Sequence, residues 1–254
     1  MDHNLPTFKV IVVGDQSVGK THIISQYVIG QLPRNPQTTL GVDFQTMKFT
    51  DVASGQKGKF LIFDTAGEEK YHAVTAMHFK KVKGCFIVYD VSNRESFEHV
   101  QKWLKDALDL TEQDCSIILL ANKCDVDNNH EQEKLSIYGG VLKKDFKRQV
   151  STQEGMDFAK THNLPFFEVS AVMDYNIVEA FSQVGSQIME IHLRNIQNQS
   201  NRSGIYAQRG YSPMDIHNKD NSQNRPIKLQ KSRFECCLSS GRERHTDEQS
   251  SRCC

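Results

Sequence analysis

This sequence lacks the features that define several large classes of protein. None of its apolar stretches approaches the roughly 18 residues that cross a bilayer, so any membrane attachment is expected to come from covalent lipid. The N-terminus has no basic segment followed by an apolar one, which predicts no secretory signal. The seven cysteines show neither metal-ligand spacing nor a disulfide framework, and they predict free thiols in a reducing cytosol. The 31 basic and 31 acidic side chains leave the chain neutral.

The most informative segment that is present is residues 14–21, GDQSVGKT, which directly follows a short apolar run. In this order a strand stops, the backbone wraps around an anion, and a helix starts at Lys20 with its amides aimed at that anion. Gly14 and Gly19 permit the tight turn, Lys20 adds a positive charge, and the Thr21 hydroxyl is suited to ligate Mg²⁺. A chance match in a glycine-containing turn is the alternative, and the preceding strand argues against it. The segment therefore predicts binding of a nucleoside di- or triphosphate.

A second motif, residues 122–125, follows the buried-strand pattern of residues 116–121. Because ligands of mainly parallel sheets lie beyond the carboxyl ends of the strands, this motif and the phosphate-binding loop are expected to face one pocket. Asp125 is suited to accept hydrogen bonds from N1–H and the exocyclic amine of guanine, whereas the N1 of adenine is an acceptor. Asn122 is expected to tie the segment to the loop, and the Lys123 stem to lie on the purine face. Taken alone, the motif also fits an Asx-turn after a strand.

A third motif begins where the apolar run at residues 59–63 ends, and it reads DTAGEE at residues 64–69. Asp64 is expected to hold Mg²⁺ through water, and the amide of Gly67 can reach a γ-phosphate only if no side chain blocks the approach. Taken alone, this motif is also a plausible strand-to-helix turn. With the other two motifs in this order, chance becomes a poor explanation.

Short β-rich runs alternate with amphipathic stretches along the chain, which is typical of a mainly parallel sheet covered by helices. Residues 44–52 and 59–64 flank a Ser/Gly-containing turn and predict a hairpin with one antiparallel strand at the sheet edge. Capping boxes at residues 92–95 and 151–154 predict two helix starts. One apolar stripe of the last helix is expected to be core: Ile177, Phe181, Val184, Ile188 and Ile191.

Together these motifs resemble those of small GTPases of the Ras superfamily, and of the Rab family in particular, over about residues 7–194. Further similar segments lie at residues 39–44, 88–97 and 166–171. The resemblance implies an α/β fold of the P-loop NTPase type in three layers. We expect a mostly parallel six-stranded sheet with one antiparallel edge strand, about five helices, and a disordered C-terminal tail. The implied cofactors are GTP or GDP with Mg²⁺.

The resemblance also assigns roles to single residues. Thr39 becomes the effector-loop Mg²⁺ ligand that senses the γ-phosphate, together with the metal ligands Thr21 and Asp64, and the Ala171 amide meets the guanine oxygen. The implied catalytic set is Glu68, Lys20 and Thr39. The implied nucleotide-binding set is Gly14, Asp15, Gln16, Ser17, Val18, Gly19, Lys20, Thr21, Asp64, Gly67, Asn122, Lys123, Asp125, Ser170 and Ala171.

Two departures from the family pattern concern hydrolysis. Glu68 stands where the family usually has the Gln that orients the attacking water. An ionised Glu only accepts hydrogen bonds and adds negative charge beside the γ-phosphate, so slow intrinsic GTP hydrolysis is expected. In a milder interpretation, this Glu is protonated or water-bridged and an activating protein restores turnover. Gln16 replaces a small loop residue and is expected to obstruct an arginine finger.

Other departures concern recognition. Phe44, Phe63 and His78 occupy the positions of a hydrophobic surface triad with which the family binds effectors, and only Phe44 is retained. Partner choice is therefore not transferable from the family. Leu32 stands where relatives often place an aromatic ring against guanine, so a weaker contact at the edge of the base is expected.

The expected organisation is a small GTPase domain at residues 1–195 with an insertion at about 127–149, followed by a hypervariable disordered tail at residues 196–254. The insertion is predicted to be a disordered surface loop or, alternatively, a partner-binding insert. The modest basic excess of the tail suits an anionic membrane face or a merely solvated linker. Its final Cys253 and Cys254 resemble the doubly geranylgeranylated Rab terminus, and stable anchoring needs two lipid chains.

The function implied is a membrane-anchored GTP/GDP switch of the Rab type that regulates intracellular vesicle trafficking. Expected partners are a guanine-nucleotide exchange factor, a GTPase-activating protein, a prenyl-binding extraction protein, the Rab prenylation machinery and trafficking effectors, with no nucleic acid. The expected location is the cytoplasmic face of an intracellular membrane, in exchange with the cytosol. One alternative is a GTP-binding scaffold with negligible hydrolysis, because Glu68 and Gln16 replace the usual residues. A P-loop kinase or ATPase is disfavoured by Asp125.

Overall fold

The computed structural model describes residues 5–33, 39, 42–65, 78–127 and 147–208, with side chains to Asn201. The chain divides into two units, Met1–Asn198 and Gln199–Cys254, and the fold below is that of the first. The strands are β1 (Thr7–Val13), β2 (Val42–Thr50), β3 (Lys57–Thr65), β4 (Val82–Asp90), β5 (Ser116–Asn122) and β6 (Phe166–Val169). The helices are α1 (Lys20–Ile29), α2 (Arg94–Glu98), α3 (Val100–Leu110), α4 (Thr152–Thr161) and α5 (Ile177–Gln208), with a 3₁₀ turn at Cys124–Asp127.

The six strands form one sheet in the order β2-β3-β1-β4-β5-β6. Strand β2 pairs antiparallel with β3, whereas the other four pairings are parallel. The predicted hairpin and its antiparallel edge strand are therefore confirmed, as is the predicted fold class. The remaining strands are joined by crossover connections, because parallel neighbours cannot be linked by a tight turn.

The side chains of the central strands point alternately to the two faces of the sheet, and this divides the core into two clusters. Val10 and Val12 pack on one face, in a cluster that includes residues of α1 and α5. Ile11 and Val13 pack on the other face, in a cluster that includes residues of α3 and α4. Since successive side chains of a strand point to opposite faces, a continuous apolar run needs helices on both sides. The result is the predicted three-layer arrangement.

The predicted stripe of the last helix lies on the core side. Ile177, Phe181, Val184 and Ile188 are buried, and Ile191 is half-buried. Helix α5 then continues beyond Asn195 to Gln208, and its side chains from residue 194 to 201 are exposed. Within the described ranges, no helix is both long enough and apolar enough to span a membrane.

One of the two predicted capping boxes is present. At the start of α4 the Ser151 hydroxyl accepts from the Glu154 amide, and the Glu154 carboxylate accepts from the Ser151 amide. The box predicted at residues 92–95 is wrong, because helix α2 is capped instead by Asn93. The amide and hydroxyl of Ser92 donate to Asp90 Oδ1 at 2.8 and 2.7 Å. The carboxylate that ends strand β4 thus holds Ser92 in a turn, and the helix begins one residue later.

Candidate functional site

The phosphate-binding loop lies between β1 and α1, and two of its glycines are required by close contacts. At Gly14, whose φ is 142°, a Cβ atom would lie 2.2 Å from the Val88 carbonyl oxygen of strand β4. At Gly19, whose φ is 99°, a Cβ atom would lie 2.3 Å from Asn122 Nδ2. Any side chain at either position would therefore both strain the backbone and push apart the elements that surround the loop. Helix α1 begins at Lys20, where the sequence predicted it.

Lys20 places a buried cation within this loop. Its side chain is almost fully buried, and Nζ donates to the carbonyl oxygens of Gly14 at 2.8 Å and Asp15 at 2.6 Å. Burial lowers the pKa of Lys20 to about 8, and the nearby carboxylates of Asp64 and Asp15 oppose that fall. The ammonium is consequently still mostly protonated near neutral pH. A buried ammonium among backbone amides is suited to an anion such as a polyphosphate.

Three oxygen-bearing side chains converge beside Lys20. The Thr21 hydroxyl donates to Asp64 Oδ2 at 2.7 Å and lies 3.0 Å from the Thr39 hydroxyl, which in turn lies 3.4 Å from Asp64 Oδ2. Burial raises the pKa of Asp64, against the hydrogen bonds from Thr21 and Thr39 and the charge of Lys20. The second carboxylate oxygen, Oδ1, is buried and has no hydrogen-bond partner among the described residues.

This donor set fits Mg²⁺. Hydroxyl and carboxylate oxygens are the ligands that Mg²⁺ prefers, and the ion is usually held by few protein groups together with water and phosphate oxygens. The orphaned oxygen of Asp64 points to a group that the protein itself does not supply. Elsewhere in the described part of the chain, no group of three or more His, Cys, Asp or Glu side chains is arranged to hold a metal.

The second motif is joined to the phosphate-binding loop by two side chains. Asn122 is 2% exposed, and its Nδ2 donates to the Val18 carbonyl oxygen at 2.7 Å. Lys123 Nζ donates to the Ser17 carbonyl oxygen at 2.8 Å and forms an ion pair with Asp90 Oδ2 at 2.6 Å. Asp90, which ends strand β4, was not anticipated from the sequence. These contacts hold the two ends of the site in a fixed relation.

The last two motifs meet at Asp125. The Ser170 hydroxyl donates to Asp125 Oδ1 at 2.6 Å and accepts from the Met173 amide at 3.1 Å. Ser170 and Ala171 are both buried. The hydroxyl thereby fixes the orientation of one oxygen of the carboxylate. The structure therefore brings Asn122, Lys123, Asp125 and Ser170 together through these contacts, with Ala171 next to Ser170, and their role as a base pocket stays a prediction.

Asp15 has contacts that sequence reasoning missed. Its carboxylate accepts from Trp103 Nε1 at 2.8 Å through Oδ1, and Oδ2 lies 2.7 Å from His99 Nδ1. His99 lies at the junction of α2 and α3, and Trp103 is one turn into α3. Partners 84 and 88 residues away leave no local signal in the sequence. The most that could have been noted is that Trp103 is the single tryptophan of the chain.

The predicted effector-facing residues form one surface cluster. The ring of Phe63 lies 6.2 Å from the ring of Phe44 and 5.5 Å from that of His78. Phe44 is 60% exposed, although it belongs to strand β2. Lys9 Nζ lies 4.4 Å from the centre of the Phe63 ring, in a cation–π contact. Burial and the charge of Lys9 lower the pKa of His78.

The remaining predicted residues have less defined positions. Gln16 and Ser17 are exposed on the loop, and Leu32 packs partly against the core cluster beneath α1 and α5. Gly67 and Glu68 lie outside the described residues, as do Cys253 and Cys254. The greater part of the predicted insertion, residues 128–146, also lies outside them.

Comparisons with known proteins agree with this geometry. The model of the Ras family matches residues 9–190. Ras-related protein Rab-15 of Mus musculus is 32% identical over 189 residues, which cover 74% of this chain and 80% of that protein. RABA5e of Arabidopsis thaliana is 31% identical over 232 residues, 91% of this chain and 94% of that protein. Rab11A of Lotus japonicus is 33% identical over 184 residues, with coverage of 72% and 73%. The resemblance inferred from the motifs is confirmed.

Proposed function

We propose that this chain, which belongs to the Ras family of small GTPases, works as a membrane-anchored GTP/GDP switch of the Rab type in intracellular vesicle trafficking. The observation that carries the proposal is the fixed juxtaposition of an anion-binding loop with a carboxylate suited to guanine. Asn122 and Lys123 hold these two ends together through hydrogen bonds to Val18 and Ser17. Membership of the family implies a guanine nucleotide with Mg²⁺.

At the phosphate end, the loop amides and Lys20 bind the polyphosphate. Thr21, Thr39 and Asp64 would hold Mg²⁺, which would supply positive charge beside the polyphosphate. The effector segments are expected at about residues 31–45 and 65–80. Contacts of Thr39, and of the Gly67 amide that the family pattern implies, with the γ-phosphate would order these segments in the GTP state and release them after hydrolysis. The difference between the two states is the output of the switch.

At the base end, Asp125 selects guanine. Its carboxylate, oriented by the Ser170 hydroxyl at Oδ1, would accept from N1–H and the exocyclic amine. Adenine presents an unprotonated N1 there, so the partly buried carboxylate of Asp125 would face another acceptor. The amide of Ala171 donates to the guanine oxygen, and the Lys123 stem covers one face of the purine.

Hydrolysis is proposed as in-line attack of water on the γ-phosphorus. Lys20 and the loop amides stabilise the charge that develops on the phosphate oxygens, with Thr39 holding the closed arrangement. Glu68 stands at the water-orienting position and slows the step, because an ionised carboxylate repels the γ-phosphate and does not donate to it. An activating protein supplies the missing stabilisation.

A second candidate is a GTP-binding scaffold that hydrolyses negligibly. Glu68 and the exposed Gln16 favour it, since one weakens the orientation of water and the other occupies space near the γ-phosphate. Single-turnover phosphate release from wild type and Glu68→Gln distinguishes the two. Detectable wild-type turnover that rises in the variant supports the slow enzyme, whereas none in wild type supports the scaffold. Wild-type hydrolysis as fast as that of the variant contradicts the role of Glu68.

Membrane anchoring and partners follow by analogy with the Rab relatives. Cys253 and Cys254 are the proposed prenylation sites, modified by the Rab prenylation machinery and shielded in the cytosol by a prenyl-binding extraction protein. Exchange factors, activating proteins and trafficking effectors read or reset the nucleotide state at the cytoplasmic face of an intracellular membrane. The surface cluster of Phe44, Phe63 and His78 is the proposed effector contact.

The deciding experiment is competition between nucleotides. ATP and GTP are compared, at equal concentration and with Mg²⁺, as competitors against labelled GDP on wild-type protein, Asp125→Ala and Asp109→Ala. Asp109 is an exposed carboxylate on α3 and serves as the matched control. We expect strong GTP preference in wild type and the control, and its loss in Asp125→Ala. Equal competition by ATP in wild type would overturn the assignment.

A further inference from the structure

The carboxylate of Asp15 connects the phosphate-binding loop to the junction of helices α2 and α3. One oxygen accepts from the indole of Trp103 at 2.8 Å, and the other pairs with His99 Nδ1 at 2.7 Å. The carbonyl oxygen of the same residue accepts from Lys20 Nζ at 2.6 Å. Asp15 is thus bonded through its side chain to one element and through its backbone to the buried cation of the site.

The charge of this cluster depends on His99. The charged groups that act on the imidazole, within the described part of the chain, are Asp15 of the loop, Glu95 of α2 and Lys102 of α3. The hydrogen bond to Asp15 raises the pKa of His99 above its ordinary value, burial opposes this, and the charges of Asp15 and Glu95 outweigh that of Lys102. Protonated His99 offsets the charge of the carboxylate, whereas neutral His99 does not, and the negative charge on the loop then acts on Lys20 without the opposing imidazolium.

We propose that His99 is a positioning residue for nucleotide binding: its imidazolium, through Asp15, holds the phosphate-binding loop in place and removes a negative charge from beside the polyphosphate. The proposal rests on nucleotide binding at this loop and deepens it by adding a dependence on proton concentration. Trp103 supplies the uncharged half of the same contact. It positions Asp15 equally at every pH, because an indole N–H does not titrate in the accessible range.

The direction of the effect follows from linkage. A raised folded-state pKa means that the contribution of the imidazolium is complete below the ordinary histidine pKa and is lost as pH rises through the raised value. Above that value the nucleotide faces the unneutralised carboxylate and dissociates faster. By reciprocity, a bound polyanion must raise the His99 pKa further, since two linked equilibria shift each other by the same factor.

The first test uses the single tryptophan as a reporter. Because Trp103 is the only tryptophan and shares Asp15 with His99, its fluorescence is expected to follow the titration of that imidazole. Emission is measured against pH for nucleotide-free and GDP-bound full-length protein, alongside His99→Asn and His162→Asn. The asparagine keeps a donor for Asp15 without the charge, and His162 is a partly buried histidine at the end of α4. We expect one midpoint, displaced to higher pH by GDP, that vanishes only in His99→Asn.

The second test is the release rate of labelled GDP across the same pH range. Wild type should release the nucleotide faster above the midpoint, by about threefold to tenfold, the size expected for one charge acting over roughly 10 Å of hydrated protein. His99→Asn should release at the faster rate throughout and show no such step. Trp103→Phe should release faster at all pH values while keeping the step.

The outcomes separate this inference from the proposed function. If the protein binds no guanine nucleotide, the proposed function fails, and the fluorescence titration of nucleotide-free protein still tests the contact itself. If the protein binds GDP but the pH step persists in His99→Asn, or never occurs in wild type, the role of His99 is refuted. A midpoint that GDP does not displace also refutes it.

Discussion

Replacing Asn122 with alanine should lower both the free energy of unfolding and the affinity for nucleotide. The side chain is 2% exposed, and its Nδ2 gives the Val18 carbonyl oxygen a hydrogen bond of 2.7 Å. Without it, that oxygen is left buried and unsatisfied, at a cost of about 1–3 kcal/mol. Part of the loss is offset, because Asn122 Oδ1 is itself buried without a partner in the described structure and disappears with the substitution. We therefore expect the free energy of unfolding to fall by about 1–2 kcal/mol.

The measurement is urea unfolding of nucleotide-free protein, with release of labelled GDP measured in parallel. Asn122→Asp is the informative companion, because it keeps the shape of the side chain but turns the donor into a charged acceptor facing the Val18 carbonyl oxygen. It should be more destabilising than Asn122→Ala, whereas Gln101→Ala, an exposed change on α3, should have no effect. Release of GDP should accelerate by roughly tenfold in Asn122→Ala if most of the lost energy is felt in the bound state. Unfolding and release unchanged in both Asn122 variants would refute the reasoning.

Two further predictions concern the ends of the site. In His99→Asn, where the pH dependence assigned to His99 is removed, affinity for GDP should still decline as pH rises through about 8, because Lys20 loses its proton there in the nucleotide-free protein. The release rate is not expected to show this decline, since the bound polyphosphate keeps Lys20 protonated. Calorimetric titrations on the double variant His99→Asn, Lys20→Met should show no decline in this window, and an identical decline there would exclude Lys20 as its cause. Ser170→Ala should weaken GDP binding by about threefold to tenfold, the net value of one typical hydrogen bond, because Asp125 loses the hydroxyl that orients it. Binding of inorganic pyrophosphate should be unchanged in Ser170→Ala, and a parallel loss there would point to a general collapse of the site.

Features set by neighbouring residues could be predicted from the sequence. The start of α1 at Lys20, the β2–β3 hairpin and the Ser151 cap all depend on a few adjacent side chains and backbone angles. The convergence of three motifs could also be predicted, because parallel strands bring their carboxyl ends to one edge of the sheet.

Features that depend on competition between hydrogen-bond partners, or on contacts between distant residues, could not be predicted from the sequence. Ser92 had the sequence spacing of a helix cap, but its amide and hydroxyl donate to the carboxylate of Asp90 instead. The neighbouring residues do not show which of these two arrangements is more stable. The bonds from His99 and Trp103 to Asp15 join an early loop to a helix much later in the chain. Such pairs depend on how helices lie on the sheet, which residue patterns alone do not specify.

The two bonds that run from Asn122 and Lys123 to the phosphate-binding loop have a consequence for ligand design. Because of these bonds, the purine subsite and the anion subsite belong to one rigid receptor. A ligand that fills both subsites therefore loses its translational and rotational entropy once rather than twice. A nucleoside and a pyrophosphate offered separately should each bind feebly, whereas a linker matching their spacing makes the joined molecule bind more tightly than the product of the two fragment affinities. Inhibitors assembled from such fragments should therefore gain more from a stiff, correctly sized tether than from enlarging either fragment.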